Sequence, residues 1–280
     1  MKCLLQSSNR VALSFCNRRY TGVVTVRGEI KDDENTGYLT INKTLRKAFE
    51  DEKTKGVIVA INSPGGSPVH SHQIYLEMQR LQKKYPEKPL YAVVGDLAAS
   101  GGYFIAAGAK AIYADETSLV GSIGVTAAGF GFVGAMEKLG VERRNYTSGE
   151  HKSLLDPYSP EKADEVELWN AQLQRTHEQF IEAVKSGRGE RLRADTPNLF
   201  SGLLWNATEA KAIGLIDEFG SIETVARDVI QAEHLKDFNE EPNPLSRLAD
   251  RLGASIGAGF ASGAMASVFE AFNRQKLLGN

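Results

Sequence analysis

Asp96-Leu97-Ala98-Ala99-Ser100-Gly101-Gly102-Tyr103-Phe104 is the stretch on which the reading of this chain turns. The apolar run Leu90-Tyr91-Ala92-Val93-Val94 before it has the composition of a buried strand. The small-residue run after it, as far as Gly108, reads as a buried helix. Ser100 therefore falls where a strand turns into a helix. A side chain there stands at the strand's carboxyl end, beside the unpaired N–H groups of a helix N-terminus. Ala98 and Ala99 before it, and Gly101 and Gly102 after it, leave room for another backbone to approach. Taken alone, Ser-Gly-Gly also suits a helix N-cap. The rest of the chain has to separate the two readings.

Working outward, strand and helix patterns alternate. Gly22 to Gly28 is β-branched and bounded by glycines, a first strand. Asn42 to Lys53 carries Leu45, Ala48 and Phe49 at helical spacing. Gly56 to Asn62 is an unbroken apolar strand of the parallel-sheet type, ended by Ser63-Pro64-Gly65-Gly66-Ser67. His70 to Tyr85 reads as a helix with Ile74, Met78 and Leu81 inward. Downstream, Ala111–Ala114, Ser118–Val125 and Val141–Thr147 read as strands, and Phe130–Leu139 as a helix. Pro160 to Lys185 reads as one long amphipathic helix, with Trp169 and Phe180 as exposed aromatics suited to a contact. Ala207–Ile213 and Ser221–Gln231 complete the pattern as helices.

This alternation predicts an α/β fold with a mostly parallel sheet, helices on its faces and long C-terminal helices. One domain is expected over 21–235, between a basic tail (1–20) and an amphipathic helical tail (236–280). In such sheets working groups gather beyond the carboxyl ends of the strands, which brings Pro64-Gly65-Gly66 and Ser100 to one rim.

Composition excludes several classes of function. The net charge of −2 gives no general electrostatic case for nucleic acid. Cys3 and Cys16 make neither a disulfide framework nor a zinc site. Neither a Walker-type loop nor GxGxxG follows a strand, so no cofactor is expected. Residues 1–27 hold Lys2, Arg10, Arg18, Arg19 and Arg27 without an acid, a faint likeness to an organelle transit peptide. Asn9 and Arg10 interrupt any secretory core, and no clear membrane anchor is read. Localisation is therefore open.

A nucleophilic serine needs a base and N–H donors for an oxyanion. The Gly101 N–H follows Ser100, and the Gly65 N–H can face it across the rim. His70 and His72 begin a helix that leads away, His177 is expected at the surface of the long helix, and His234 lies near the domain's end. The loop Ser148 to Ser153 follows a strand and offers both His151 and Lys152. The residues alone leave these two as alternatives.

Asn62-Ser63-Pro64-Gly65-Gly66, Ala99-Ser100-Gly101-Gly102-Tyr103, Gly121-Ser122-Ile123-Gly124 and Gly149-Glu150-His151-Lys152 together resemble the signal peptide peptidase A family, which includes the SohB-type peptidases. Gly202, Ala210 and Gly214-Leu215-Ile216-Asp217 match too, in the family's order, over about Thr21 to Gln231. The resemblance implies a Clp protease and crotonase-like fold and a serine–lysine peptidase. It implies Ser100 as nucleophile, Lys152 as general base, Ser122 as the hydroxyl that orients the lysine amine, and Gly65 and Gly101 as oxyanion donors. It implies peptide substrates, among them signal-peptide remnants and other hydrophobic membrane-derived segments. It also implies a cyclic homo-oligomer, in which serine and lysine meet across a boundary between copies. The family's usual N-terminal membrane-spanning segment is missing from the residues read.

Leu245, Leu248, Leu252, Ile256 and Phe260 form a helical stripe, and Leu252 to Phe269 carries no charge but is mostly Ala, Gly and Ser. An amphipathic helix with membrane-surface contact through 245–272 is expected. Two rival functions stand beside the peptidase: a crotonase-type acyl-CoA enzyme on the same fold, and a catalytically silent membrane-associated scaffold.

Overall fold

Runs of β-branched residues build the sheet. β1 (Tyr20–Arg27), β2 (Thr54–Ser63) and β3 (Leu90–Ala99) pair in parallel, Val24 beside Val59 and Ala60 beside Val93. In this computed structural model residues 19–239 are described, and they belong to one unit that ends at Asn239. The readings made for 1–18 and for 240–280, including the stripe from Leu245, lie outside the described residues. β8 (Leu235–Asp237) pairs with β1, so the sheet crosses the expected limit at 235.

Both sheet faces are buried, as continuous apolar strands require. On one face Val24, Val26, Val57, Val59 and Ile61 pack under α1 (Tyr38–Glu50) and α2 (Pro68–Lys84). Leu45, Ala48 and Phe49 of α1 and Ile74, Met78 and Leu81 of α2 are all fully buried, as their spacing predicts. Ser67 starts α2 by accepting from the His70 N–H, with Pro68 in the first turn. On the other face Ile58, Tyr91 and Val93 meet Val225, Ala226 and Ile230.

β3 is longer than its apolar run suggests. Its first half pairs with β4 (Ala111–Ala114) and its last three residues with β5 (Leu119–Gly121). Between the halves Gly95, Asp96 and Leu97 oppose Asn62 alone, a bulge of the kind that re-aims a strand end. The Ser118 hydroxyl donates to the Gly95 carbonyl at 2.6 Å, and the Asn62 amide to Asp96 at 2.7 Å, which hold the bulge. β6 (Leu204–Asn206) closes the edge beside β5 and is the antiparallel member.

α3 (Gly101–Ala106) follows β3, α4 spans Val133–Leu139 and α5 Ala163–Arg188. After α6 (Ala207–Ala212) and β7 (Glu218–Phe219), the segment expected as one helix over Ser221–Gln231 is a short α7 (Ile222–Thr224) opening into a π turn, Val225–Val229. Two more expectations are corrected. Val141–Thr147 forms no strand: all seven residues are exposed and no strand among the described residues supplies a ladder. Phe180 is not exposed: it is 4% accessible and stacks on Phe104 with centroids 4.8 Å apart. The stripe on α5 was read correctly, but α3 covers its end.

The end of α5 is tied down by charge. Fully buried Arg188 donates to the Gly214 carbonyl at 2.8 Å and to Asp217 at 2.7 Å. The same carboxylate accepts the Ile112 N–H and a bond from Arg191. Burial works to raise the Asp217 pKa, but these partners outweigh it and hold the carboxyl below its usual range.

Candidate active site

Ser100 is the last residue before α3, with φ 50 and ψ −120. A non-glycine residue in this region costs of order 1–3 kcal/mol, and such strain concentrates at functional sites. Its backbone is locked: the N–H donates to the Gly121 carbonyl at 2.8 Å, and its carbonyl accepts from Phe104 at 2.9 Å. Its hydroxyl makes no cap bond. The N-cap alternative is thus not realised, and the hydroxyl of this half-buried residue is left for other work. This is the geometry of a strained strand-to-helix turn that presents a nucleophile.

The Ser63–Ser67 turn lies against it. A Cβ on Gly65 would stand 2.7 Å from both the Gly101 nitrogen and the Ser100 Cβ, so only glycine permits this approach. The N–H groups sort themselves. Buried Gly65 donates its N–H to the Ser63 hydroxyl at 3.1 Å, and that hydroxyl donates to the Gly28 carbonyl. The exposed Gly66 N–H has no acceptor among the described residues, and neither has the Gly101 N–H. Gly66 N would lie 3.3 Å from a Cβ placed on Gly101, so the two orphan donors are neighbours. The expectation of Gly65 as a donor thus meets an occupied N–H. The reading of the residues missed Gly66, although the paired glycines were the available signal.

Ser122 follows β5 as Ser100 follows β3. Ala99 pairs with Gly121, so the two serines follow directly on paired ends of adjacent strands. Ser122 also has positive φ, 51, and its N–H donates to the Leu203 carbonyl at 2.7 Å. Tyr103, one turn into α3, is fully buried and donates to the Leu215 carbonyl at 2.7 Å. Burial holds its hydroxyl above the usual tyrosine range, so it remains a donor and fastens the helix.

Lys152 is not brought to Ser100 within the chain. It is exposed, in a turn where its N–H donates to the Gly149 carbonyl at 3.2 Å, and its amine bonds no described residue. His151 beside it is exposed too. Three of the other histidines are engaged elsewhere. His70 accepts the Tyr38 N–H at 3.2 Å, His72 lies against Tyr75 and Phe104, and half-buried His177 meets the Ile123 carbonyl at 3.1 Å. A cavity of about 1050 Å³ opens beside the β3 bulge, lined by Asn62, Asp96, Leu119, Phe219 and Ile222 among others.

Residues 82–236 match peptidase family S49. A putative signal peptide peptidase SppA of Enterococcus faecium is 32% identical over 218 residues, 77% of this chain and 62% of that protein. The putative protease MJ0651 of Methanocaldococcus jannaschii is 31% identical over 228 residues, 79% of this chain and 71% of that protein. A Na(+)/H(+) antiporter NhaA of Brucella abortus is 46% identical over 183 residues, 65% of this chain and 25% of that protein. The chain thus spans about a quarter of that protein's length. Among the described residues no helix is long and apolar enough to cross a membrane. The family match takes in Ser100, Ser122 and Lys152 and covers more than half of the chain, which belongs to peptidase family S49, the signal peptide peptidase A family.

Proposed function

We propose that the chain is a serine peptidase in which Ser100 is the nucleophile and Lys152, supplied by a neighbouring copy in a cyclic homo-oligomer, is the base. The observation that carries this is Ser100 itself: a strained serine with an uncommitted hydroxyl beside two orphan N–H groups. Peptide hydrolysis follows from those parts. A neutral lysine amine takes the Ser100 proton, and the oxygen attacks the scissile carbonyl. The N–H groups of Gly66 and Gly101 hold the oxyanion, each worth about 3 kcal/mol. The protonated amine gives its proton to the leaving nitrogen, and water then releases the acyl group from Ser100. Ser122 keeps the amine directed at Ser100.

Lys152 sits on a segment whose Phe130, Leu139 and Tyr146 are 82%, 77% and 90% exposed. Apolar surface of that kind favours a partner. A second copy meets both needs at once, covering the segment and receiving its lysine. Hydrophobic peptides of the kind left by signal-peptide removal are the proposed substrates, after the name of the Enterococcus relative.

The test is complementation. Ser100→Ala and Lys152→Ala are each expected to abolish peptide hydrolysis, and coexpression of the two is expected to restore part of it. Mixed oligomers confirmed by mass yet wholly inactive would place the dyad within one chain. Fluorophosphonate labelling at Ser100 separates a peptidase from a crotonase-type enzyme or a silent scaffold.

A further inference from the structure

The segment that carries Ser122 is held by its neighbours on several sides. The Gly121 carbonyl accepts from the Ser100 N–H at 2.8 Å, the Ser122 N–H donates to the Leu203 carbonyl at 2.7 Å, and the Ile123 side chain is fully buried. One side chain among the described residues bonds the backbone from Ser122 to Gly124: His177, whose Nε2 lies 3.1 Å from the Ile123 carbonyl oxygen. A carbonyl only accepts, so Nε2 carries the proton here, and it does so in the neutral Nε2–H tautomer and in the cation alike. Protonation of the ring therefore leaves this donor in place.

His177 is set on α5, which also packs against α3. Three residues further along the same face of α5, Phe180 stacks on Phe104, in the helix that begins directly after Ser100. α5 thus touches the nucleophile's helix with one side chain and the Ser122 segment with another. The burial of Ile123 already anchors that segment in the core, so the hydrogen bond adds orientation more than packing. Ser122 has reason to need it, because its positive φ relaxes once the backbone is free to turn.

We propose that His177 is a positioning residue of the peptidase site: it fixes the backbone at Ile123 and with it the direction of the Ser122 hydroxyl. This rests on the reading of Ser122 as the group that orients the lysine amine. His177 touches neither substrate nor Ser100.

The experiment measures kcat and KM of the full-length protein on a fluorogenic peptide. His177→Phe keeps the ring and removes the donor. It is expected to lower kcat about tenfold, the scale of one hydrogen bond, with KM nearly unchanged. His177→Gln can place an amide N–H where Nε2 stood, and is expected to recover most of the rate. In a Ser122→Ala background His177→Phe is expected to add little, because both changes disable one device. Full additivity of the two changes, wild-type kcat in His177→Phe, or His177→Gln as slow as His177→Phe would each overturn the proposal. A Ser122→Ala enzyme at wild-type rate would overturn it as well. Failure of the underlying peptidase reading looks different: Ser100→Ala then retains activity, or Ser100 resists fluorophosphonate in every variant.

Discussion

Val57, Ile58 and Val59 in the central sheet are fully buried, whereas Phe130, Leu139 and Tyr146 in the segment 126–161 are 82%, 77% and 90% exposed. α1 and α2 bury a full stripe each, whereas α4, in the exposed segment, buries no residue at all. The proposed nucleophile stands on the first region and the proposed base on the second. A strained serine has to be over-determined by its surroundings, and the sheet and α3 do that. A lysine that serves another copy has to reach outward, and an arm with unspent apolar surface does that.

The contrast can be broken by measuring where stability resides. In the body, Asp217→Ala leaves the Arg188 guanidinium buried without its counter-charge. A loss of about 3–5 kcal/mol is expected, read as a lowered urea midpoint. A loss below about 1 kcal/mol would mean that the knot joining α5, β4 and the Gly214–Asp217 turn is not what holds the body.

A smaller effect is expected at the sheet's outer edge. Burial favours the protonated form of Asp51, but bonds from Lys236 and Tyr20 outweigh it and bring its pKa down to about 2. A carboxyl depressed in the folded state stabilises above its unfolded value of about 3.9 and loses that contribution as the pH falls towards 2. With the Lys236 side chain 43% exposed, solvent screening keeps the effect below about 1 kcal/mol. Asp51→Asn should flatten the urea midpoint between about pH 4 and 2. An unchanged slope there would assign acid sensitivity to other carboxylates.

The smallest effect on folding belongs to the arm. Leu139→Ser and Tyr146→Ser should each change the stability of a separated copy by no more than about 0.5 kcal/mol, because nothing among the described residues covers them. The same changes should weaken assembly, measured by sedimentation. A large loss of fold stability would show the arm packing on its own body and would remove the case for a second copy.

Much of the fold was legible because both of its periods were clean. Gly56 to Asn62 reads as a two-sided buried strand and His70 to Tyr85 as a one-sided helix, and the structure places strand and helix there within a few residues. The run 141–147 was misread because its β-formers Val141, Tyr146 and Thr147 look alike whether or not a partner strand exists. Phe180 was misread because spacing tells which face is apolar and not what lies against it.

By itself the sequence determined the α/β alternation, the strand-to-helix position of Ser100, the glycines that let the facing turn approach and the family to which the chain belongs. These are local or motif-level properties, set by side-chain period, backbone freedom and order along the chain. Only the tertiary structure decided that the Ser100 hydroxyl caps nothing, that Gly65 spends its N–H on Ser63 while Gly66 keeps its own, and that His177 reaches Ile123. It also decided that Lys152 lies exposed and unbonded to Ser100. Each of these depends on which groups meet across distant parts of the chain, and a hydrogen bond is won or lost over less than an ångström, far below what residue spacing encodes.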